Sequence, residues 1–192
     1  MENTAQNLEQ AVKTQTTQIE DPTPLRRKRL TELLSRFLED KVSGAELIGV
    51  KRADLVHLAE AGHVKFRHGR LEEAEMIFQG LILMDHRNAY FHAMMGAVHQ
   101  RRQRPVEAIM EYSQAIRINP RDIASVVNRG EIYLRSKNYR KAAEDFRVAI
   151  LADMNGVDKW ANRARSLVIA VKRSLETDRK VARRGRARPR QR

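Results

Sequence analysis

The chain contains no cysteine, which removes disulfide frameworks, thiolate metal sites and cysteine nucleophiles from consideration. It has only five prolines and nine glycines, too few for a loop-rich or all-β architecture, and this favours helices. No apolar run approaches the roughly 18 residues needed to span a bilayer, so membrane insertion is not expected. The first residues, Met1 to Pro24, are polar and slightly acidic, without the basic-then-apolar build of a secretory signal. A cytoplasmic protein is therefore expected. Aromatic residues are scarce at 5%, with a single tryptophan. No phosphate-cradling glycine loop or nucleophile elbow occurs, and no carboxylate pair stands out as a general acid and base. An enzyme is not expected, and neither is a cofactor. His92 and His99 lie on one face of a predicted helix, but no third or fourth ligand accompanies them, so no metal site is assigned.

What the chain does have is a period. Gly62, Gly96 and Gly130 are 34 residues apart, as are Ala74, Ala108 and Ala142, and as are Phe78, Tyr112 and Phe146. Three residue classes in one register mark tetratricopeptide repeats, each a pair of antiparallel helices. The fold expected is an all-α solenoid of three helix pairs at 55–88, 89–122 and 123–156. Small residues at the Gly and Ala positions let paired helices approach, and the aromatic fills the layer between them. Gly69 is placed to end a helix in the left-handed conformation, and Pro105 to occupy the first turn of another.

The flanks follow from the same patterning. Residues 1–24 are expected to be disordered. Within 25–54, a helix places Leu30, Leu33, Leu34, Phe37 and Leu38 on one stripe, followed by a short apolar connector. That stripe must be buried, either on the first repeat or in a homodimer interface. Residues 157–176 form a cap for the open end of the solenoid, with Trp160, Ala164, Leu167, Val171 and Leu175 on its apolar side. The net charge is +13, and 172–192 hold ten basic and two acidic residues, or +8, leaving 13 − 8 = +5 elsewhere. The basic tail (177–192, with Arg179, Lys180, Arg183, Arg184, Arg186, Arg188 and Arg190) lacks apolar periodicity and is expected to be disordered.

Stacked helix pairs curve into a concave surface lined by the first helix of each pair. By analogy with the repeat class, the second, fifth, ninth and twelfth positions of those helices point inward. These are Val56, Ala59, His63 and Phe66 in repeat one, and Tyr90, Ala93, Ala97 and Gln100 in repeat two. In repeat three they are Ala124, Val127, Glu131 and Leu134. The lining is mostly apolar or small and lacks the Lys and Asn set that grips a terminal carboxylate, so it suits an extended segment with apolar anchors.

Phe78-Gln79-Gly80-Leu81, Met84-Asp85-His86, Tyr90-Phe91, Gly96-Ala97 and Gln100 resemble the class II chaperones of bacterial type III secretion systems, the LcrH/SycD type. The resemblance runs from about Ala45 to Asp153. It implies a cytoplasmic, non-catalytic bacterial chaperone that keeps a hydrophobic secreted translocator soluble before export, with an extended client segment in the groove. It also implies dimerisation through the N-terminal region, which would give the Leu30–Leu38 stripe a partner. Family members commonly carry aromatics along the inner face of the first repeat. Here Ala59, His63 and Phe66 stand there, so a shallower or differently shaped groove is expected. The alternative reading is a repeat adaptor whose basic tail binds nucleic acid or an acidic partner; a third is that the tail only raises solubility or contacts the secretion machinery. No aromatic interleaves with that tail to stack bases.

Overall fold

The computed structural model describes residues 24–39 and 41–186, with side chains described at 27–29, 31–39 and 41–172. The chain divides into two units, Met1–Gly49 and Val50–Arg192. The described residues of the first unit form α1 (Pro24–Leu38) and the short α2 (Gly44–Ile48). Ser43 caps α2 in a reciprocal capping box with Glu46, and Gly49 ends it with φ +78°. A helical turn therefore stands where an apolar connector is expected. On α1, Leu33 and Phe37 are half-buried, whereas Leu34 and Leu38 are exposed, Leu38 at 76%. The side chain of Leu30 lies outside the described residues, as do residues 1–23.

The second unit is a helical solenoid: α3 (Arg52–Arg67), α4 (Leu71–Met84), α5 (Ala89–Arg101), α6 (Pro105–Ile118), α7 (Ile123–Arg135), α8 (Tyr139–Ala152) and α9 (Lys159–Arg186). The period is written into the helix boundaries. The second helices start at 71, 105 and 139 and end at 84, 118 and 152, and the first helices end at 67, 101 and 135. Only the start of α3 departs, one turn ahead of residue 55.

The repeated residues explain the repeated geometry. A Cβ at Gly62 would stand 2.9 Å from Ile77 Cγ2, one at Gly96 2.9 Å from the Tyr112 ring, and one at Gly130 2.8 Å from the Phe146 ring. These contacts are too close for any side chain, so glycine sets the distance at which each helix pair crosses. Ala74, Ala108 and Ala142 are buried opposite, with Phe78, Tyr112 and Phe146 between the helices. Each first helix turns into the second through one left-handed residue: Gly69 (φ +77°), Gln103 (φ 59°) and Lys137 (φ 59°). Asn88, Asp122 and Asn138 cap the helices that follow them, each accepting from a backbone N–H. Pro105 stands in the first turn of α6.

Ion pairs tie successive layers together. Arg129 on α7 donates to both oxygens of Asp145 on α8, at 3.0 and 2.7 Å, and to the hydroxyl of Ser113 on α6 at 2.9 Å. Glu75 on α4 accepts from Arg102 and Arg104 at the α5–α6 turn. The open end is closed by α9. Ala161 and Ala164 are fully buried, and Trp160 and Leu167 pack on the core of α7 and α8. The backbone of α9 is helical to Arg186, ten residues past 176, so disorder from residue 177 is not what the backbone shows. Arg, Lys and Ala continue a helix readily, and the first proline after it is Pro189. Residues 187–192, and with them Arg188 and Arg190, lie outside the described residues, as do the side chains of Arg179, Lys180, Arg183, Arg184 and Arg186.

Candidate functional site

The first helices of repeats two and three enclose a cavity of about 880 Å³. Its floor is small and apolar, with Ala89, Ala93, Met94, Ala97 and Ala124, because alanines along α5 leave room where larger side chains would fill it. Aromatic side chains stand around it: Phe66 from the end of α3, Tyr90 from the start of α5, Tyr112 from α6 and Trp160 from α9. Tyr90 is held on edge by two rings, Phe78 at 6.4 Å and Phe91 at 6.3 Å between centroids, yet 47% of it remains exposed. Partial burial, with the Glu60 carboxylate as the lesser influence, pushes its phenol above the ordinary range, so it stays neutral at physiological pH. The hydroxyl of Tyr112 donates to Gln100 Oε1 at 2.8 Å, which gives the floor one fixed polar point. Burial raises that phenol too.

Of the residues read from the sequence as groove lining, the structure brings together Phe66, Tyr90, Ala93, Ala97, Gln100 and Ala124. The others stand elsewhere. Val56 is exposed away from the cavity and Ala59 is buried. His63 is half-buried, its ring 6.5 Å from that of Phe66. In repeat three three positions need correction. Val127 has 0% exposure, inside the core of α7, α8 and α9, and Leu134 packs on that core. Glu131 is 5% exposed and accepts from Arg163 of α9 at 2.9 Å. The cap explains all three, because α9 lies on α7 and covers positions that repeat two leaves open. Asn128 and Arg135, each one residue past Val127 and Leu134 along α7, line the cavity instead, and Ser125 lines it beside Ala124.

Sequence reasoning missed Met94, Arg101, Arg135 and the groove-facing side of Trp160. The four-position rule stops one residue short of the two arginines. Their 34-residue spacing, shared with Arg67, was the available signal.

His92 is held by acceptors of the protein itself. His92 has both ring nitrogens engaged, Nδ1 2.7 Å from Glu111 Oε2 and Nε2 2.9 Å from the His86 carbonyl. Two acceptors fit a doubly protonated imidazolium, and Glu111 chiefly raises its pKa, with burial opposing. Among the described residues no cluster of metal-ligating side chains occurs. No helix among them is long and apolar enough to cross a membrane.

Three solved structures frame this geometry. A type III secretion complex from Aeromonas hydrophila is similar at 26% identity and TM-score 0.69, over 74% of this chain and 97% of that one. SycD, the type III secretion translocator chaperone of Yersinia enterocolitica, aligns at 21% identity and TM-score 0.64, over 67% and 98%. PcrH in complex with the chaperone-binding region of PopD aligns at 22% identity and TM-score 0.62, over 66% and 97%. The chain has the fold of the type III secretion translocator chaperones. Nearly the whole of each of these chains is matched, so the shared part is the complete chaperone fold rather than a repeat or two. Neither a family model nor a curated protein matches the chain.

Proposed function

We propose that this protein is a non-catalytic bacterial chaperone that holds an extended apolar segment of a translocator-like client in the cavity between repeats two and three. The observation that carries this reading is the alanine floor bordered by half-exposed aromatics. A folded chain leaves such a surface open when something else is to cover it. The alanines admit a backbone at close range, and Phe66, Tyr90 and Trp160 supply contact area for anchor side chains. The fold neighbours support it, since SycD has been described with a peptide of the translocator YopD, and PcrH with segments of PopD and PopB. Binding by occupation requires no chemistry from the protein. It keeps an aggregation-prone segment covered until export, in the cytoplasm where such a client is made. The exposed Leu34 and Leu38 of α1 give a second copy a surface to pair with, and SycD has been described as a dimer.

Co-purification from the native cell, with mass spectrometry of what is retained, tests the reading. A protein with long apolar stretches, held by the wild type and lost from Tyr90→Ala, is the expected result. The same partner retained equally by folded Tyr90→Ala and Phe66→Ala would overturn it.

A further inference from the structure

We propose that the groove selects client segments bearing carboxylates beside their apolar anchors, and that Arg101 and Arg135 are the groups that hold those carboxylates. This rests on the client-binding reading above and narrows it to a peptide chemistry. Arg101 and Arg135 are the last residues of α5 and α7, and both border the cavity. Both are exposed, and among the described residues no carboxylate pairs with either.

Three arginines that bridge one helix to another are matched instead. Arg129 is matched to Asp145, Arg102 to Glu75 and Arg163 to Glu131. The partners of Arg101 are neutral. Its Nη1 donates to the Phe66 carbonyl at 2.6 Å, and its guanidinium lies 4.8 Å from the centre of the Phe66 ring. These contacts aim the side chain along the cavity wall without neutralising it. The sole acidic side chain lining the cavity, Asp122, is occupied at the start of α7, where it accepts from the backbone N–H and the hydroxyl of Ser125. The cavity therefore presents, over an apolar floor, two guanidinium groups with no ion-pair partner among the described residues, and with Asp122 the lining keeps a net positive charge. A segment that covers the floor also displaces water from beside them, which strengthens any charge-assisted bond made there. Arginine's planar fork favours a carboxylate acceptor. The same charges disfavour basic segments, so they act as a filter as well as an anchor.

A random peptide library displayed on phage and selected on the full-length chain tests the proposal. Selected peptides synthesised with a fluorophore are then titrated against wild type, Arg135→Gln, Arg135→Lys and Tyr90→Ala. The expected outcome is enrichment of Asp and Glu next to apolar residues. Binding should weaken about three- to tenfold in Arg135→Gln, be only partly restored by Arg135→Lys, which returns the charge without the fork, and lose strength at high salt. Selected apolar peptides without acidic residues, bound equally by wild type and Arg135→Gln but lost by Tyr90→Ala, would overturn the proposal and leave the chaperone reading standing. Peptides bound equally by folded Tyr90→Ala and wild type would overturn both.

Discussion

Replacing Tyr90 by alanine separates what this residue does for the fold from what it does for a client. A tyrosine side chain can bury roughly 200 Å², and with 47% of Tyr90 exposed about 90 Å² remains for a partner to cover. At about 25 cal/mol per Å², that area corresponds to about 2 kcal/mol, or roughly thirtyfold in affinity. The buried half, with its two edge-on contacts to Phe78 and Phe91, contributes about 2–3 kcal/mol to stability. Both losses are expected together and are measured separately. Urea titration followed by circular dichroism reads the stability. Fluorescence anisotropy with the captured client segment reads the affinity, at a temperature where the variant is fully folded. Tyr90→Phe keeps the ring and should keep most of the affinity. If folded Tyr90→Ala binds as tightly as wild type, the exposed half of this ring is not a contact surface and the reasoning fails.

Three other outcomes follow from the packing and the electrostatics. Gly96→Ala should lose about 1–3 kcal/mol in urea unfolding because its Cβ meets the Tyr112 ring at 2.9 Å, whereas Gly80→Ala, with nothing within 4 Å, should gain up to about 1 kcal/mol. His92 has its folded-state pKa raised, first by Glu111, so its stabilising contribution is complete below the unfolded value of about 6.5 and is lost as pH rises through the higher folded value. The urea midpoint should fall over that interval, and Glu111→Gln should flatten the slope. An unchanged slope in that variant would remove His92 as the source. Truncation after Glu176 should leave client affinity intact. A loss of most affinity, together with a steep salt dependence in the intact chain, would instead make the basic segment the binding element.

The spacing of Gly62, Gly96 and Gly130 made the solenoid legible before any coordinates, because a helix crossing that a Cβ would block tolerates one residue type only. The groove was legible where the solenoid repeats itself. Tyr90, Ala93, Ala97 and Gln100 face the cavity because repeat two has a neighbour on each side, as the rule for the repeat class assumes. Repeat three ends the array, and there the rule fails. The cap takes over the inner face, so Val127 becomes core and Glu131 becomes the partner of Arg163. That substitution of neighbours depends on where α9 lands, which no local pattern in α7 records. Trp160 shows the same limit from the other side. Its apolar stripe identified a capping residue, but not that the cap's edge also borders the groove.

The central claim is that a client lies along the first helices rather than against the outer face, and site-specific photo-crosslinking reads this directly. A photoreactive amino acid placed at Ala97 in the cavity should form a covalent adduct with the co-expressed client. The same group at Met110, exposed on α6 outside the cavity lining, should form none. Adducts at Met110 with none at Ala97 would contradict the account.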